Sequence, residues 1–208
     1  MNKMVETLPI YNAVIDDEQC GINKISLVQS PAVESYFVAF SKEKKQILFT
    51  VNEEQKMITG VIMRCDYPIY RCDSHLGEFY INFNAETIKI MAQKLLRDDN
   101  QNRVNIEHLF NSDVQGVEMV ELFIKDVEKG KNPKGFEDIS NGSLFATFKV
   151  ENHEIWQKIR SGEFKGFSLE GDFSLIIPEN ETEDKPTDEY DEIDNLLEQI
   201  KEKIKNLK

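Results

Sequence analysis

The sequence predicts a mainly β member of the α+β class, with helices packed outside a barrel or sandwich. Short runs rich in β-branched and aromatic residues recur along the first 177 residues. Only two segments of that stretch carry the 3.6-residue periodicity of an amphipathic core helix. With 208 residues, 40% of them hydrophobic, and 13 Phe, the chain has enough apolar material for one substantial core.

The first half of the chain alternates strand-like runs with polar turns. The second run ends at Ser30-Pro31, and the acidic turn 52–54 separates the third run from the fourth. After the fifth run, apolar residues at helical spacing between Ile88 and Leu96 predict a helix over 85–97. The predicted strands here cover 8–15, 25–28, 46–51, 56–64 and 79–83.

The second half continues with three strands, a short helix and the strand that carries the candidate nucleophile. The three strands are predicted over 104–110, 116–125 and 143–150. Asn152 is a suitable N-cap for a helix whose apolar face includes Trp156, and Gly162 is a suitable stop. The next run, 166–175, alternates polar and apolar residues like a half-buried strand.

The last thirty residues differ in composition from the rest. Residues 178–188 are rich in Glu, Asp, Thr and Pro, which predicts an acidic linker after a folded domain over 1–177. Beyond it, the tail 189–208 has apolar residues spaced three and four apart, as in a coiled coil. A helix this short is marginal alone, so it either packs on its own domain, self-associates or docks on another protein. The stripe comprises Tyr190, Ile193, Leu197, Ile200, Ile204 and Leu207.

Charge and composition exclude several classes of function. The net charge of −13 opposes binding to phosphate backbones, so we expect no nucleic-acid partner. No apolar run approaches the ~20 residues that span a bilayer, and the first residues lack the apolar block of a secretory signal. We therefore expect a cytosolic protein that inserts in no membrane. Three cysteines without a disulfide-type spacing predict free thiols.

The candidate chemistry centres on Ser168, within Gly166-Phe167-Ser168-Leu169-Glu170-Gly171. Strand alternation places Ser168, Glu170, Asp172 and Ser174 on one face and apolar residues on the other. A hydroxyl held rigidly beside carboxylates suggests hydrolysis, although the strand–turn–helix nucleophile elbow is absent and a purely structural serine is common in such strands.

A serine nucleophile needs a base to accept its proton, and the chain has three histidines. His108 lies inside a predicted strand and is the preferred base, with Lys165 as the substitute. His153 lies in the first turn of a helix, where an imidazolium is disfavoured. His75 and Cys72 could suggest a thiol hydrolase or zinc, but a closed zinc site needs four ligands, so we expect neither metal nor cofactor.

Read in order, three motifs carry a resemblance to a known family. They are Ser30-Pro31-Ala32-Val33 with the segment before it, Asn105-Ile106-Glu107-His108, and the run around Ser168. Over residues 8–177 the chain resembles the phage capsid maturation (prohead) protease family, in particular the serine protease branch of phage-like, defective-prophage elements. One departure is Gly142-Ser143-Leu144, where that branch often has Gly-Ser-Trp.

The resemblance implies a herpesvirus-assemblin-like β-barrel with surrounding helices, in which Ser168 is the nucleophile and His108 the general base. Glu170 is the preferred third member over Glu107, because alternation places Glu107 opposite to His108. A purely structural Glu170 remains an alternative.

The implied substrates are capsid and scaffold proteins, cleaved inside the assembling prohead in the host cytoplasm. The tail 189–208 would dock the enzyme there by self-association or on scaffold, and self-cleavage could fall in the acidic linker. The alternative is a non-catalytic head-assembly or scaffolding protein that keeps the protease fold.

Overall fold

The computed structural model describes residues 8–31, 50–109 and 111–177. Within these ranges the chain forms eleven strands and two helices, which confirms the mainly β, α+β class. The strands are β1 (Ile10–Val14), β2 (Gly21–Val28), β3 (Thr50–Asn52), β4 (Met57–Met63), β5 (Ile69–Asp73), β6 (Gly77–Asn82), β7 (Val104–Ile106), β8 (Val117–Ile124), β9 (Leu144–Val150), β10 (Gly166–Asp172) and β11 (Ser174–Ile176). The helices are α1 (Ala85–Arg97) and α2 (His153–Arg160).

The described strands pair into three open sheets. Their orders are β11-β1-β6-β5, β10-β2-β7 and β3-β4-β9-β8. The pairs β1–β6 and β2–β7 are parallel, whereas the others are antiparallel. The closed barrel implied by the resemblance is therefore not formed by the strands of the described residues.

Both core helices confirm the prediction from periodicity. The side chain of Asn84 caps α1 by accepting from the Thr87 N–H at 2.8 Å, and Asn152 caps α2 by accepting from the Ile155 N–H at 3.1 Å. Each helix turns an apolar face inward, with Ile88, Met91 and Leu95 fully buried on α1. Both faces join a single large hydrophobic cluster with strands of all three sheets.

Several strand predictions need correction. Strand β5 is real although 69–73 was expected to be loop. Strand β7 ends at Ile106, so His108 lies beyond the strand and not inside it. The predicted strand 166–175 is two strands interrupted at Phe173, which leaves Ser174 on β11, bonded to Asp16. Residues 46–49, the linker 178–188 and the tail 189–208 lie outside the described residues.

Gly171 fixes the way β10 leaves its partner strand. The pairing of β10 with β2 shifts register between Glu170 and Gly171, as in a β-bulge. A Cβ atom on Gly171 would lie only 2.3 Å from the carbonyl oxygen of Gly21, a backbone atom that cannot swing away. Glycine is therefore required where the strand bends, one residue after Glu170.

Lys125 is a buried cation that organises the loop before β9. Lys125 is the residue directly after β8, and it is only 1% exposed. The Nζ atom donates to the carbonyl oxygens of Phe136 at 2.7 Å, Glu137 at 3.2 Å and Ile139 at 2.7 Å. Phe136 and Ile139 also form a second small hydrophobic cluster with Phe145. The ammonium group thus satisfies three carbonyls while the loop covers apolar surface.

We predict that Lys125→Met destabilises the protein by at least about 2 kcal/mol, because buried carbonyls lose a charged donor. The measurement is urea unfolding followed by Trp156 fluorescence. The matched control is Lys129→Met, since the Lys129 side chain is 76% exposed in its ion pair with Asp126 and should change stability by under about 0.5 kcal/mol. Equal effects of the two substitutions would contradict the structural role of Lys125.

Candidate active site

Three polar residues form a row across the β10-β2-β7 sheet. Ser168 on β10 is directly opposite Ser26 on β2, and Ser26 is in turn aligned with Asn105 on β7. Side chains at paired positions project from the same face, with Cβ atoms about 5 Å apart. Ser26 and Asn105 are buried, and Ser168 is 8% exposed. The register thus places a hydroxyl, a second hydroxyl and an amide side by side.

Glu170 reaches across this row and gathers its polar groups. Its Oε1 atom accepts from Asn105 Nδ2 at 2.6 Å and lies 3.0 Å from His108 Nδ1. The Ser26 hydroxyl lies 3.2 Å from the same oxygen, 2.9 Å from His108 Nδ1, and also within hydrogen-bond distance of Asn105 Oδ1. The third predicted member therefore contacts the predicted base directly.

His108 is held by a tight turn after β7. Both Glu107 and His108 adopt left-handed backbone conformations, with φ of 53° and 57°, and such residues store strain that their surroundings must offset. The turn is fixed by Leu109 N donating to Ile106 O at 3.0 Å and by the Ser112 hydroxyl bonding the Ile106 and Leu109 carbonyls. The imidazole is thereby aimed back over the sheet, although the residue is not in a strand.

Glu107 points elsewhere. Its Oε1 atom accepts from the Gln29 N–H at 2.5 Å, and its own N–H donates to Leu27 O at 3.1 Å. Its carboxylate ties the turn to β2 and does not bond the imidazole. The ranking of Glu170 above Glu107 as the partner of His108 agrees with this geometry.

The partners of His108 Nδ1 decide which ring nitrogen can act as a base. An ionised carboxylate only accepts hydrogen bonds, so we assign the proton to Nδ1, where it is donated to Glu170. The other nitrogen, Nε2, then carries the lone pair. A general base needs this tautomer. The carboxylate binds the protonated nitrogen and orients the ring, and the other nitrogen is left to accept the proton of the nucleophile.

Glu170 is kept ionised by its neighbours. Burial acts to raise the pKa of its carboxyl, but the hydrogen bonds from Asn105 and His108, the His108 charge and the Ser26 hydroxyl outweigh that effect. The net result is a pKa below the usual value of a glutamate. The carboxylate therefore remains a hydrogen-bond acceptor under mildly acidic conditions.

Ser168 completes the row but is not yet bonded to the base. Among the described residues, no hydrogen bond joins its hydroxyl to His108, whose Nδ1 is engaged by Glu170 and Ser26. Proton transfer requires the imidazole or the Ser168 side chain to move until Nε2 meets the hydroxyl. Catalytic hydrogen bonds are often long before substrate binds.

A small cleft adjoins Ser168 and is lined by residues of β4, β5 and β10, together with Phe83. About 20 Å³ of it is accessible to a water-sized sphere, and the cleft opens partly to solvent. Apart from Ser168, its only polar lining residue is Arg71. The apolar lining comes from Ile62, Ile69, Phe83, Phe167 and Leu169.

The other sequence candidates lie apart from this site. His153 is the exposed first residue of α2, and His75 is exposed in the turn between β5 and β6. Cys72 is an exposed residue of β5, and no described hydrogen bond links it to His75. Burial raises the pKa of the Cys65 thiol to about 12, which leaves it unreactive. Lys165 donates only its backbone N–H, to Val28 O at 2.9 Å.

One group of described residues has side chains close enough to share a metal ion. The ligand atoms of Asp16, Asp17 and Cys20 lie within 4.8 Å of one another. Asp17 already accepts from the N–H groups of Gln19 and Cys20, and the Cys20 thiol donates to Asp16. Burial also raises the pKa of the Cys20 thiol, which opposes the thiolate that metals prefer. These residues serve as the turn before β2.

Sequence reasoning missed three functional candidates: Ser26, Asn105 and Arg71. Ser26 and Asn105 belong to segments that carried the family resemblance, but only the strand register brings them to Glu170. Arg71 lies in a strand that was expected to be loop. A polar serine in the otherwise apolar β2 run 25–28 was the one available signal for the first of them.

A carboxylate-bound imidazole beside a strand serine is the arrangement that serine hydrolases use. Comparison with known families agrees with that class. The chain belongs to the family described as "putative phage serine protease XkdF", whose model matches residues 44–176, more than half of the chain. The matched region includes His108, Ser168 and Glu170.

The chain is also similar to the uncharacterized protein YqbD of Bacillus subtilis (strain 168), with 28% identity over 172 residues. This match covers 79% of the chain and 47% of YqbD, so the chain spans about half the length of this curated relative. No solved structure matches the chain. Neither α1 nor α2, in the part of the chain that the structure describes, is long and apolar enough to cross a bilayer.

We predict that Glu170→Gln destabilises the protein at pH 7 and that this effect shrinks progressively as pH falls below about 4.3. A carboxyl whose folded pKa is lowered stabilises the fold above its unfolded pKa of about 4.3, and this stabilisation is lost as pH falls through the folded pKa. Urea midpoints of both proteins at several pH values measure the effect. Exposed Glu118→Gln is the control. A pH-independent difference would contradict the ionised state of Glu170.

Proposed function

We propose that the protein is a serine endopeptidase that cleaves phage capsid and scaffold proteins during prohead maturation in the host cytoplasm. Ser168 is the nucleophile, His108 the general base and Glu170 the group that orients the base. The 3.0 Å contact between His108 Nδ1 and Glu170 Oε1, beside the row that contains Ser168, is the observation that supports this proposal most. Membership of a phage serine protease family supports the substrate class.

The proposed reaction is acyl transfer to Ser168 and then to water. The Ser168 oxygen attacks the scissile carbonyl while its proton passes to His108 Nε2. The imidazolium keeps its Nδ1–H on Glu170 and gives the Nε2 proton to the leaving amine, which breaks the peptide bond. His108 next takes a proton from water, whose oxygen attacks the acyl carbon. The ester bond to Ser168 then breaks, and His108 returns the proton to the Ser168 oxygen as the second product leaves as a carboxylic acid.

Ser26 is a positioning residue in this scheme and not a second nucleophile. It is fully buried, whereas a nucleophile must reach the substrate. The ring nitrogen that it faces, Nδ1, carries the proton, so the imidazole offers it no lone pair. Asn105 acts similarly, because its amide holds the Glu170 carboxylate at 2.6 Å. Buried partners of this kind fix the orientation of the groups that react.

We predict that Ser168→Ala abolishes processing, with a loss of about 10³-fold or more in rate, because no other group attacks the carbonyl. Ser26→Ala should retain activity, reduced by about 10- to 100-fold. The measurement combines co-expression with the cognate capsid protein and labelling by a fluorophosphonate, followed by peptide mapping.

The same assay compares His108→Ala with His153→Ala, the latter a control in which an exposed histidine is removed. Processing should stop only in the first. Equal processing by wild type and Ser168→Ala, or a label on Ser26, would remove Ser168 from the mechanism. A folded wild type that neither cleaves nor takes up label in assembling heads supports the non-catalytic head-assembly alternative, which the unmade Ser168–His108 bond also allows.

We further propose that the tail 189–208 docks the enzyme in the prohead, by self-association or on scaffold. Its apolar stripe is an interaction face, and docking raises the effective concentration of enzyme near substrate. Deletion of 189–208 should abolish head incorporation while cleavage of a soluble peptide continues. Mass spectrometry of purified heads measures the first and a peptide assay the second. Normal incorporation of the shortened protein would contradict this role.

A further inference from the structure

The Ser168 cleft contains a cation that the proposed mechanism does not use. Arg71 lies on β5, on the same strand face as Ile69, and both line the cleft. Its surroundings in the cleft are apolar except for Ser168 itself. A guanidinium group thus shares a small apolar space with the proposed nucleophile.

The donors of Arg71 are mostly unused within the described part of the chain. Its NH1 atom donates to Tyr70 O, the carbonyl of its own neighbour, at 2.9 Å. No carboxylate of the described ranges lies within ion-pair distance, and Glu78 on the partner strand accepts from the Tyr70 hydroxyl instead. Burial lowers the pKa of Arg71, and no acidic group offsets that effect. A guanidinium has five N–H donors, so most of its capacity is available to a ligand.

Several other cations in the described residues have local partners. Lys24 pairs with Asp113 at 2.5 Å, Arg160 lies 3.8 Å from Glu53, and the Arg64 guanidinium stacks 3.7 Å from the centre of the Tyr67 ring. Lys125 is buried more deeply than Arg71, but three carbonyls satisfy it. The half-buried charge of Arg71 has lost part of its hydration and has few partners in exchange. An anion that pairs with it would replace the lost hydration, so anion binding is favoured.

The charge of the whole chain makes this local cation informative. At a net charge of −13, the protein as a whole repels acidic peptides. A single guanidinium at the nucleophile therefore selects an acidic group at one position of the substrate and does not attract anions in general. The planar guanidinium of arginine forms bidentate hydrogen bonds with a carboxylate.

β10 is an edge strand of its sheet among the described strands; β4 packs beside it, and Ile62 of β4 lines the cleft. An extended peptide running along such an edge brings alternate side chains to the same side. A side chain next to the bond attacked by Ser168 can thus reach the mouth of the cleft, where its carboxylate would pair with Arg71.

We propose that Arg71 is a specificity-determining residue that selects substrates with Asp or Glu beside the scissile bond. The inference rests on the proposed peptidase function. It assigns the substrate class as peptide segments with an acidic residue at the position that faces Arg71 at the mouth of the Ser168 cleft.

The test separates binding from cleavage. Wild type and Ser168→Ala protein are incubated with a defined peptide library, and Ser168-dependent cleavage sites are read by mass spectrometry. Asp or Glu should predominate at one position next to the cleaved bond. Cleavage that depends on Ser168 but shows no acidic preference overturns the role of Arg71 and leaves the peptidase function intact.

Binding is measured on the full-length Ser168→Ala protein, so that it does not depend on turnover. The probes are a peptide of residues 178–188, the chain's own acidic segment, and the same peptide with Gln and Asn in place of its acids. The acidic peptide should bind at least about tenfold tighter, and Arg71→Gln in the same background should remove the difference. Arg71→Lys should keep part of it, and Arg71→Glu should reverse it.

Arg97→Gln is the matched control, because the Arg97 side chain is 68% exposed on α1 and does not line the cleft. It should preserve the tenfold difference. Equal affinities for the two peptides, or a difference that survives Arg71→Gln, overturn the inference even if cleavage is observed. Absence of any Ser168-dependent cleavage, together with a binding difference that requires Arg71, supports acidic-peptide recognition and instead overturns the peptidase function.

Discussion

One carboxylate oxygen organises the candidate site. Glu170 Oε1 lies within hydrogen-bond distance of Asn105 Nδ2, His108 Nδ1 and the Ser26 hydroxyl, so strands β10, β2 and β7 and the turn after β7 all converge on it. Asn105 and His108 are close in sequence, but both are far along the chain from Ser26 and from Glu170. If any of the three strands slipped by one residue, its side chain would move to the opposite face of the sheet. The site therefore depends on the strand register, and the network in turn favours that register.

Two backbone irregularities lie close to Glu170 and His108 and allow the two side chains to meet. The register shift after Glu170 requires glycine at position 171, because any side chain would meet the Gly21 carbonyl. The turn that presents His108 has two successive left-handed residues, each disfavoured by about 1 kcal/mol. The bonds of Ser112 and of the Glu107 carboxylate offset part of that strain. Strained backbone placed beside a polar network is typical of functional sites.

Buried Lys125 and half-buried Arg71 show how differently a fold can compensate a cation that it shields from water. Lys125 is surrounded by carbonyl oxygens that its own loop supplies, so its charge is compensated inside the fold. Arg71 is compensated by one neighbouring carbonyl and is otherwise directed into apolar space next to Ser168. Burying charge without a full set of partners costs free energy, and proteins retain such arrangements where a ligand completes them.

The sequence by itself determined whatever depends on neighbours along the chain. Helical spacing and Asn caps fixed α1 and α2, and strand alternation put Ser168 and Glu170 on one face. It could not end β7 before His108, divide 166–175 at Phe173 or reveal β5, because side-chain periodicity does not report the left-handed turn at Glu107 and His108, the pairing of β11 with β1 or the hairpin of β5 with β6. Only the tertiary structure brought Ser26 and Asn105 to Glu170, Arg71 to Ser168, and the strands into three sheets. The physical reason is that periodicity is a local property of the chain, whereas register and burial are set by segments 60 to 150 residues apart, such as Glu170 with Asn105 (65) and with Ser26 (144).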